Sequence, residues 1–243
     1  MAEKSYRDEI VILRVKDWQT ADKHAVCFSR AHGKVSFLAY GARYARSTGG
    51  RLIQPFVVLD AQLFPGRRLD TLRDCELVVY PKTMNMEQMA YAALIAEVTE
   101  NLTEEHQPQE EIYELLLLSF DTLMERNPRL TALSTICKLL FLTGVLPQYQ
   151  ACVNCGQPAS DEDAFFSVVQ GGLICKTCHC GEEMPFSMAA RELLTNLLTL
   201  DFRKPHAFKV YGGVLMEVER LLLRFVVYQT DKQLNCLSFL SQL

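Results

Sequence analysis

Two Cys-x-x-Cys pairs, Cys152-Val153-Asn154-Cys155 and Cys175-Lys176-Thr177-Cys178, constrain this chain more than any other feature. If four thiolates share one ion, segments separated by 19 residues must fold back on each other. A tight turn lets both sulfurs of a pair reach one ion at about 2.3 Å, and two such turns complete a tetrahedron. The spacing therefore predicts a zinc site at Cys152, Cys155, Cys175 and Cys178. Gly156 follows the first pair, where the chain needs freedom to turn back. Between the pairs, Ala164–Val168 and Gly171–Ile174 read as a short hairpin carrying the second pair. Four thiolates close the coordination shell, whereas a catalytic zinc keeps an open position, so the expected role is structural. His179 and Cys180 directly follow the second pair and are alternative donors for the fourth position.

Two other uses of these cysteines compete. Cys175-Lys176-Thr177-Cys178-His179 matches the c-type haem attachment string, but haem would leave Cys152 and Cys155 idle. Disulfides need an oxidising compartment, and Met1-Ala2-Glu3-Lys4 has none of the apolar character of an export signal. The expectation is a reducing cytoplasm, with Cys27, Cys75, Cys137 and Cys236 serving as small buried side chains among apolar neighbours.

The 243 residues suffice for one large domain or two ordinary ones, and 49% are hydrophobic, enough for sizeable cores. No apolar run approaches the roughly 18 residues of a membrane span, so no membrane role is expected. The net charge of −4 is unevenly spread. Residues 1–80 hold 13 Lys+Arg against 9 Asp+Glu, a balance of +4, and residues 81–243 hold 12 against 20, a balance of −8. No acidic residue occurs from Lys23 to Leu59, a stretch containing Lys23, Arg30, Lys34, Arg43, Arg46 and Arg51. This asymmetry predicts an anion-facing half joined to an acidic half.

The first 80 residues read as β. Glu9–Lys16, Lys23–Arg30, Lys34–Tyr40, Ile53–Phe64 and Arg67–Tyr80 form five runs, with turns at Ala31-His32-Gly33 and Pro65-Gly66 and a polar loop over 41–50. Five strands without a long helix predict a small barrel, best fitted by an OB-fold. After Pro81 the period becomes helical. Asn85 with Gln88 forms a capping box for a helix to about Leu102. Pro108 opens a second helix to about Glu125, and a third runs over Leu130–Thr143 to Gly144. Past the cysteines, Ser187 caps a helix over Met188–Leu200, an amphipathic helix spans about 206–229, and 234–243 adds a last apolar turn. Glu217, Arg220 and Arg224 read as its solvated face. The fold class is thus α+β: an OB-fold barrel over 1–80, then a helical domain over 81–243 with a zinc module inserted at about 150–181.

In the acid-free stretch, aromatic rings accompany basic residues, the mixture that stacks bases and neutralises phosphates. Phe28, Phe37 and Phe56 read as barrel core, while Arg30, Lys34, Arg43, Tyr44, Arg46 and Arg51 are the candidate contacts to DNA or RNA. No phosphate loop, nucleophile elbow or His-Glu-x-x-His string occurs, and His24, His32, His106, His179 and His206 are scattered. Nothing assembles a catalytic site, and no small-molecule substrate is expected. A zinc-ribbon RNA-binding or transcription-associated protein is the alternative; a zinc hydrolase would need an open metal position and a neighbouring base.

Phe28-Ser29-Arg30-Ala31-His32-Gly33-Lys34, Gly41-Ala42-Arg43-Tyr44-Ala45-Arg46-Ser47, Leu52-Ile53-Gln54-Pro55-Phe56 and Gly66-Arg67-Arg68-Leu69-Asp70-Thr71-Leu72 resemble the N-terminal half of the bacterial DNA repair protein RecO family. Leu139–Pro147, Cys152-x-x-Cys155-Gly156, Gly171-Gly172-Leu173 and Cys175-x-x-Cys178 resemble its second half, in order. Thr20-Ala21-Asp22 departs from the family's usual Tyr-Gly-Glu-x-Asp turn. The resemblance implies a non-enzymatic, cytoplasmic, nucleoid-associated mediator of DNA repair and recombination. Such a protein binds single- and double-stranded DNA, anneals complementary strands and, with RecR, helps load RecA onto strands coated by single-strand binding protein. It also implies a groove for that protein's acidic, Phe-ended C-terminal tail, for which Lys138, Arg191, Arg203, Lys204, Arg220 and Arg224 are the available cations.

Overall fold

The computed structural model describes residues 5–158, 164–205 and 208–240. His206 and the last residues of the expected C-terminal turn lie outside them. Five N-terminal strands, β1 (Tyr6–Trp18), β2 (Asp22–Ser29), β3 (Gly33–Ala39), β4 (Val58–Phe64) and β5 (Asp70–Val79), close into a barrel in the order β1-β2-β3-β5-β4. This is the OB-fold. Closure depends on β1 serving two neighbours. Its first half pairs antiparallel with β4, from Tyr6↔Leu63 to Val11↔Val58, and its second half with β2, from Ile10↔Ser29 to Trp18↔Asp22. A register shift between Ile12 and Arg14 bends the strand between these partners. The last seam is parallel and short, joining Phe37 to Asp70 and Leu38 to Thr71. Ile10, Ile12, Cys27, Val35, Phe37, Ile53, Leu59 and Leu63 fill the interior.

Two sequence expectations change here. The run at Ile53 does not become strand until Val58, because Pro55 cannot donate to a ladder and Phe56 turns at φ +69°. The polar loop contains a short helix, α1 (Thr48–Leu52), capped by the Ser47 hydroxyl, which accepts from Gly50 N. Of the three phenylalanines assigned to the core, Phe37 belongs to it. Phe28 is fully buried but sits outside the interior cluster, and Phe56 packs its ring on Phe120, 5.1 Å away.

Helices α2 (Met86–Leu102) and α3 (Glu110–Glu125) pack on β1. The capping box forms as expected, with Asn85 Oδ1 accepting from Gln88 N and Gln88 Oε1 from Asn85 N. Pro108 precedes α3, whose cap is the Gln109 backbone. Arg14 pairs with Glu100 of α2 through two hydrogen bonds of 2.7 and 2.5 Å. Arg30 reaches Glu9, Glu110 and Glu114 while lying 4.8 Å over the Tyr113 ring, and Tyr113 donates to Glu9. Val11, Leu13, Val26 and Phe28 are buried although they lie outside the barrel's interior cluster. The stretch from Asn235, with α7 (Leu237–Leu240), returns to α2, where Glu97 accepts from the Asn235 and Cys236 amides. The residues through Pro128 and those from Asn235 form one compact unit.

Arg129–Leu234 form the second unit. Its first helix, α4 (Pro128–Leu142), starts on a proline whose missing N–H is unneeded there. It ends with Gly144 at φ +77°, Val145 N donating to Leu140 O and Gly144 N to Phe141 O. A three-stranded sheet follows, β6 (Ala164–Ser167) lying between β7 (Gly172–Cys175) and β8 (Met184–Pro185). Helices α5 (Met188–Thr199) and α6 (Gly212–Thr230) pack together, α6 starting later than the 206 expected. Phe166 of β6 is fully buried, its ring edge-on to Phe186 and to Phe225 of α6.

Gly33 tests the packing of the segment after α2 on the barrel. It sits at φ +70°, and a Cβ there would come within 1.9 Å of Gln107 O. Gly33→Ala should therefore destabilise the protein by at least about 2 kcal/mol in urea unfolding, since left-handed backbone alone costs about 1–2 kcal/mol.

Candidate nucleic-acid interface and metal centre

The four cysteines come together. Their sulfurs all lie within 4.8 Å of one another, and Cys155 and Cys175 are 3.7 Å apart. A tetrahedron with 2.3 Å metal–sulfur bonds has edges of about 3.8 Å, so the cluster has the size to hold one metal ion. The first pair sits in a turn in which Gly156, at φ +72°, donates to Cys152 O while Cys152 N donates to Gln157 O. Cys175 ends β7, and a single 3₁₀ turn brings Cys178 back beside it. Gly172 lets the two halves meet: a Cβ there would fall 2.3 Å from Gln148 O and 2.8 Å from Val153. Val153 N donates to Leu173 O and Leu173 N to Gln148 O, lacing the first turn to the hairpin.

Burial opposes ionisation of Cys152, but amides of Cys175, Cys155 and Asn154 outweigh it and bring its thiol down to about 6. Hydrogen bonding with Cys175 and crowding by the other thiols push Cys178 up to about 12. A dication held by the four sulfurs would favour their thiolate forms. His179 stands apart from the cluster. Its ring stacks on Phe165 at 3.6 Å, and Nδ1 lies 2.7 Å from Glu183 Oε2. The Cys180 sulfur is directed to Cys178 O at 3.6 Å. Neither takes a fourth place.

The basic candidates separate into two groups. Arg30 is enclosed by Glu9, Glu110 and Glu114. Lys34 is 8% exposed, and its ammonium donates to the carbonyls of Glu100, at 2.8 Å, and Thr103, at the C-terminal end of α2. Ser36 donates to Glu105, and His106 N donates to Lys34 O. The first half of β3, at Lys34 and Ser36, part of the face that OB-folds commonly offer to strands, is thus met by the end of α2 and the segment after it. Lys34 therefore works as a helix cap, a role its sequence neighbours do not reveal.

Arg43, Tyr44, Arg46 and Arg51 are exposed together beyond the end of β3. The loop carrying them is fixed to the β1–β2 turn. Gly41 N donates to Asp22, Arg43 N to Ala21 O, and the Arg43 guanidinium to Thr20 O and Asp17. Arg51 donates back to Ala45 O. Sequence reasoning missed Trp18 at this same end and noted Tyr40 only as one of the aromatics of the acid-free stretch; both are exposed. It also gave no role to Arg67 and Arg68, exposed in the β4–β5 turn, or to Arg73, 5.4 Å over the Phe64 ring. The register linking β1, β2 and β3 was the missing information.

Ser29, His32 and Asp8 cluster without forming a nucleophile relay. Asp8 Oδ2 accepts from the Ser29 hydroxyl, and His32 meets both through the same Nδ1, 3.0 Å from Asp8 and 3.4 Å from Ser29. A relay needs opposite ring nitrogens; this group closes the β2–β3 turn.

In the second unit a cavity of about 740 Å³ is lined by Arg129, Phe186, Met216, Glu217, Arg220 and Leu223, among others. Glu217 accepts from the Ser187 amide and hydroxyl, and Glu219 pairs with Arg129. The polar side of α6, expected to be merely solvated, therefore borders a concave site. Lys138 is committed elsewhere, donating to Leu198 O at 2.8 Å.

The family model described as "Recombination protein O N terminal" matches residues 1–80, and "Recombination protein O C terminal" matches 84–237. The "DNA repair protein RecO" of Symbiobacterium thermophilum is 34% identical over 98% of this chain and 97% of its own length. The chain belongs to the RecO family. Relatives with the same description in Gloeobacter violaceus and Desulforamulus reducens are 30% and 27% identical over 99% of this chain, covering 94% and 95% of their own lengths. The barrel is the RecO N-terminal domain, and the four-cysteine cluster falls between helices of the C-terminal one. Among the described residues no helix is long and apolar enough to cross a membrane.

The occupation of Lys34 yields a test. Lys34→Met should cost about 2–3 kcal/mol of stability, because it leaves buried carbonyls unpaired and removes a charged hydrogen bond. The salt dependence of DNA binding, measured on the same variant, should not change.

Proposed function

We propose that this chain is a non-enzymatic mediator of DNA repair and recombination. It binds single- and double-stranded DNA, anneals complementary strands and, with RecR, helps load RecA onto strands coated by single-strand binding protein. Family membership supports this reading, and the observation that carries it is the fixed basic loop of Arg43, Arg46 and Arg51 at one end of the barrel. Labour divides accordingly, residues 1–80 meeting nucleic acid and 81–243 meeting proteins. The cytoplasm is its place of action.

Three phosphate contacts by these arginines give a log K against log salt slope of about −2 for single strands, at roughly −0.7 per contact. The Arg43→Ala/Arg46→Ala/Arg51→Ala variant should flatten that slope in anisotropy titrations. An unchanged slope would move the strand elsewhere.

Cys152, Cys155, Cys175 and Cys178 hold one structural zinc in this proposal. The ion's chemistry there is to neutralise the thiolates and fix the hairpin against the α6 side of its unit. Cys175→Ser should lose zinc and melt earlier in parallel, since metal binding and folding are coupled. A full equivalent of zinc in Cys152→Ser/Cys155→Ser, measured by metal analysis, would sink the assignment.

The acidic, Phe-ended tail of single-strand binding protein fits the cavity beside α6, where an apolar floor of Phe186, Met216 and Leu223 lies next to Arg129 and Arg220. A terminal carboxylate wants a charge-assisted partner, and the apolar anchor is unaffected by salt. Arg220→Glu should weaken tail-peptide binding at least about tenfold in calorimetry, the equivalent of about 1.4 kcal/mol.

A further inference from the structure

Resting on the reading of this barrel end as a nucleic-acid surface, we infer that Trp18, Tyr40 and Tyr44 form a stacking platform for unpaired bases. The site thereby selects single strands over duplex. The three rings are 41%, 65% and 57% exposed, large values for side chains of this size. The register brings them to one place. Trp18 faces Asp22 at the close of the β1–β2 pairing, and Tyr40 follows Ala39, the partner of Lys23. Tyr44 is held to Tyr40's neighbour by its amide, which donates to Gly41 O.

The platform is fixed before any strand arrives. Gly41 sits at φ +65°, and a side chain there would come within 3.3 Å of the Tyr44 ring. The Tyr44 ring therefore lies against backbone that only glycine leaves clear, with its outer side open. Trp18 is tilted against the His24 ring, centroids 5.9 Å apart. The anchors at Asp22, Ala21 and Asp17 hold the loop, so little ordering entropy remains to be lost on binding.

The surrounding charge names the occupant. Lys16, Arg43, Arg46 and Arg51 are exposed on the same turn and loop segments as the rings, Asp17 is paired to Arg43, and Asp22 is engaged by Gly41 N. Cations beside open aromatic faces suit a phosphate backbone whose bases are free to stack. A duplex presents the phosphates but keeps its base faces stacked inside, so it meets the arginines without the rings.

The chain contains one tryptophan, Trp18, so tryptophan emission, excited where tyrosine does not absorb, reports on this end alone. Titrating the full protein with oligothymidylate should quench that emission to saturation, and a duplex of equal length should leave it nearly unchanged. Tyr40→Ala and Tyr44→Ala should each weaken oligothymidylate binding about tenfold, within the 1–3 kcal/mol per stacked base. Duplex affinity should stay within about twofold. A strand of abasic sites should bind the wild type no better than oligothymidylate binds the variants. Tyr44→Leu, which keeps the contact with Gly41 but has no π-face, replaces the alanine variant if that one melts early. Unaltered single-strand affinity in the variants, equal loss for single strand and duplex, or emission that responds only to a protein partner would overturn the platform, with binding through the arginines still standing. Absence of DNA binding by the wild type would instead overturn the reading beneath it.

Discussion

One buried ammonium sets the terms for the barrel's surface. Lys34 projects from β3 and donates to Glu100 O and Thr103 O, where α2 leaves its last carbonyls without intrahelical partners. A cation at a helix C-terminus is favoured by the helix dipole, and burying it is tolerable only because those carbonyls receive it. With Lys34 in place, the segment after α2 lies along β3, and Gly33 meets Gln107 backbone. The first half of β3's outward side, from Lys34 to Ser36, is consequently occupied. What remains open at this part of the barrel is the end where β1 turns into β2 and β3 runs out. Trp18, Tyr40, Arg43, Tyr44, Arg46 and Arg51 are exposed there.

The second unit is organised by a different constraint. Close backbone packing at Gly172, with Val153 N and Gln148 O bonded to Leu173, holds the first cysteine turn against the hairpin, and Phe166 anchors the hairpin among Phe186 and Phe225. The cysteine cluster is thus braced from one side by packing and on the other open enough for Cys155 to be exposed.

Much of this was legible in the residues. The capping box at Asn85, the glycine stop at Gly144 and the Ser187 cap are local rules that tertiary packing did not override. The cysteine cluster was legible because metal-ligand spacing is a constraint on the backbone. Lys34 was misread, since a lysine in a basic stretch looks the same whether it meets a phosphate or a helix end. Which of the two it meets depends on Glu100 and Thr103, far along the chain. Trp18 was passed over for a related reason: strand alternation tells which face a residue takes, not which strand ends come together. Phe28 shows the same limit, being fully buried outside the barrel's interior cluster.

Hydrogen–deuterium exchange of the full protein, with and without saturating oligothymidylate, tests the central claim most directly. If the occupied first half of β3 excludes the strand, protection should appear in the β1–β2 turn and over 40–51, while 100–107 and β3 keep their unliganded rates. Protection concentrated along β3 and over 100–107, with the 40–51 loop unaffected, would contradict the account.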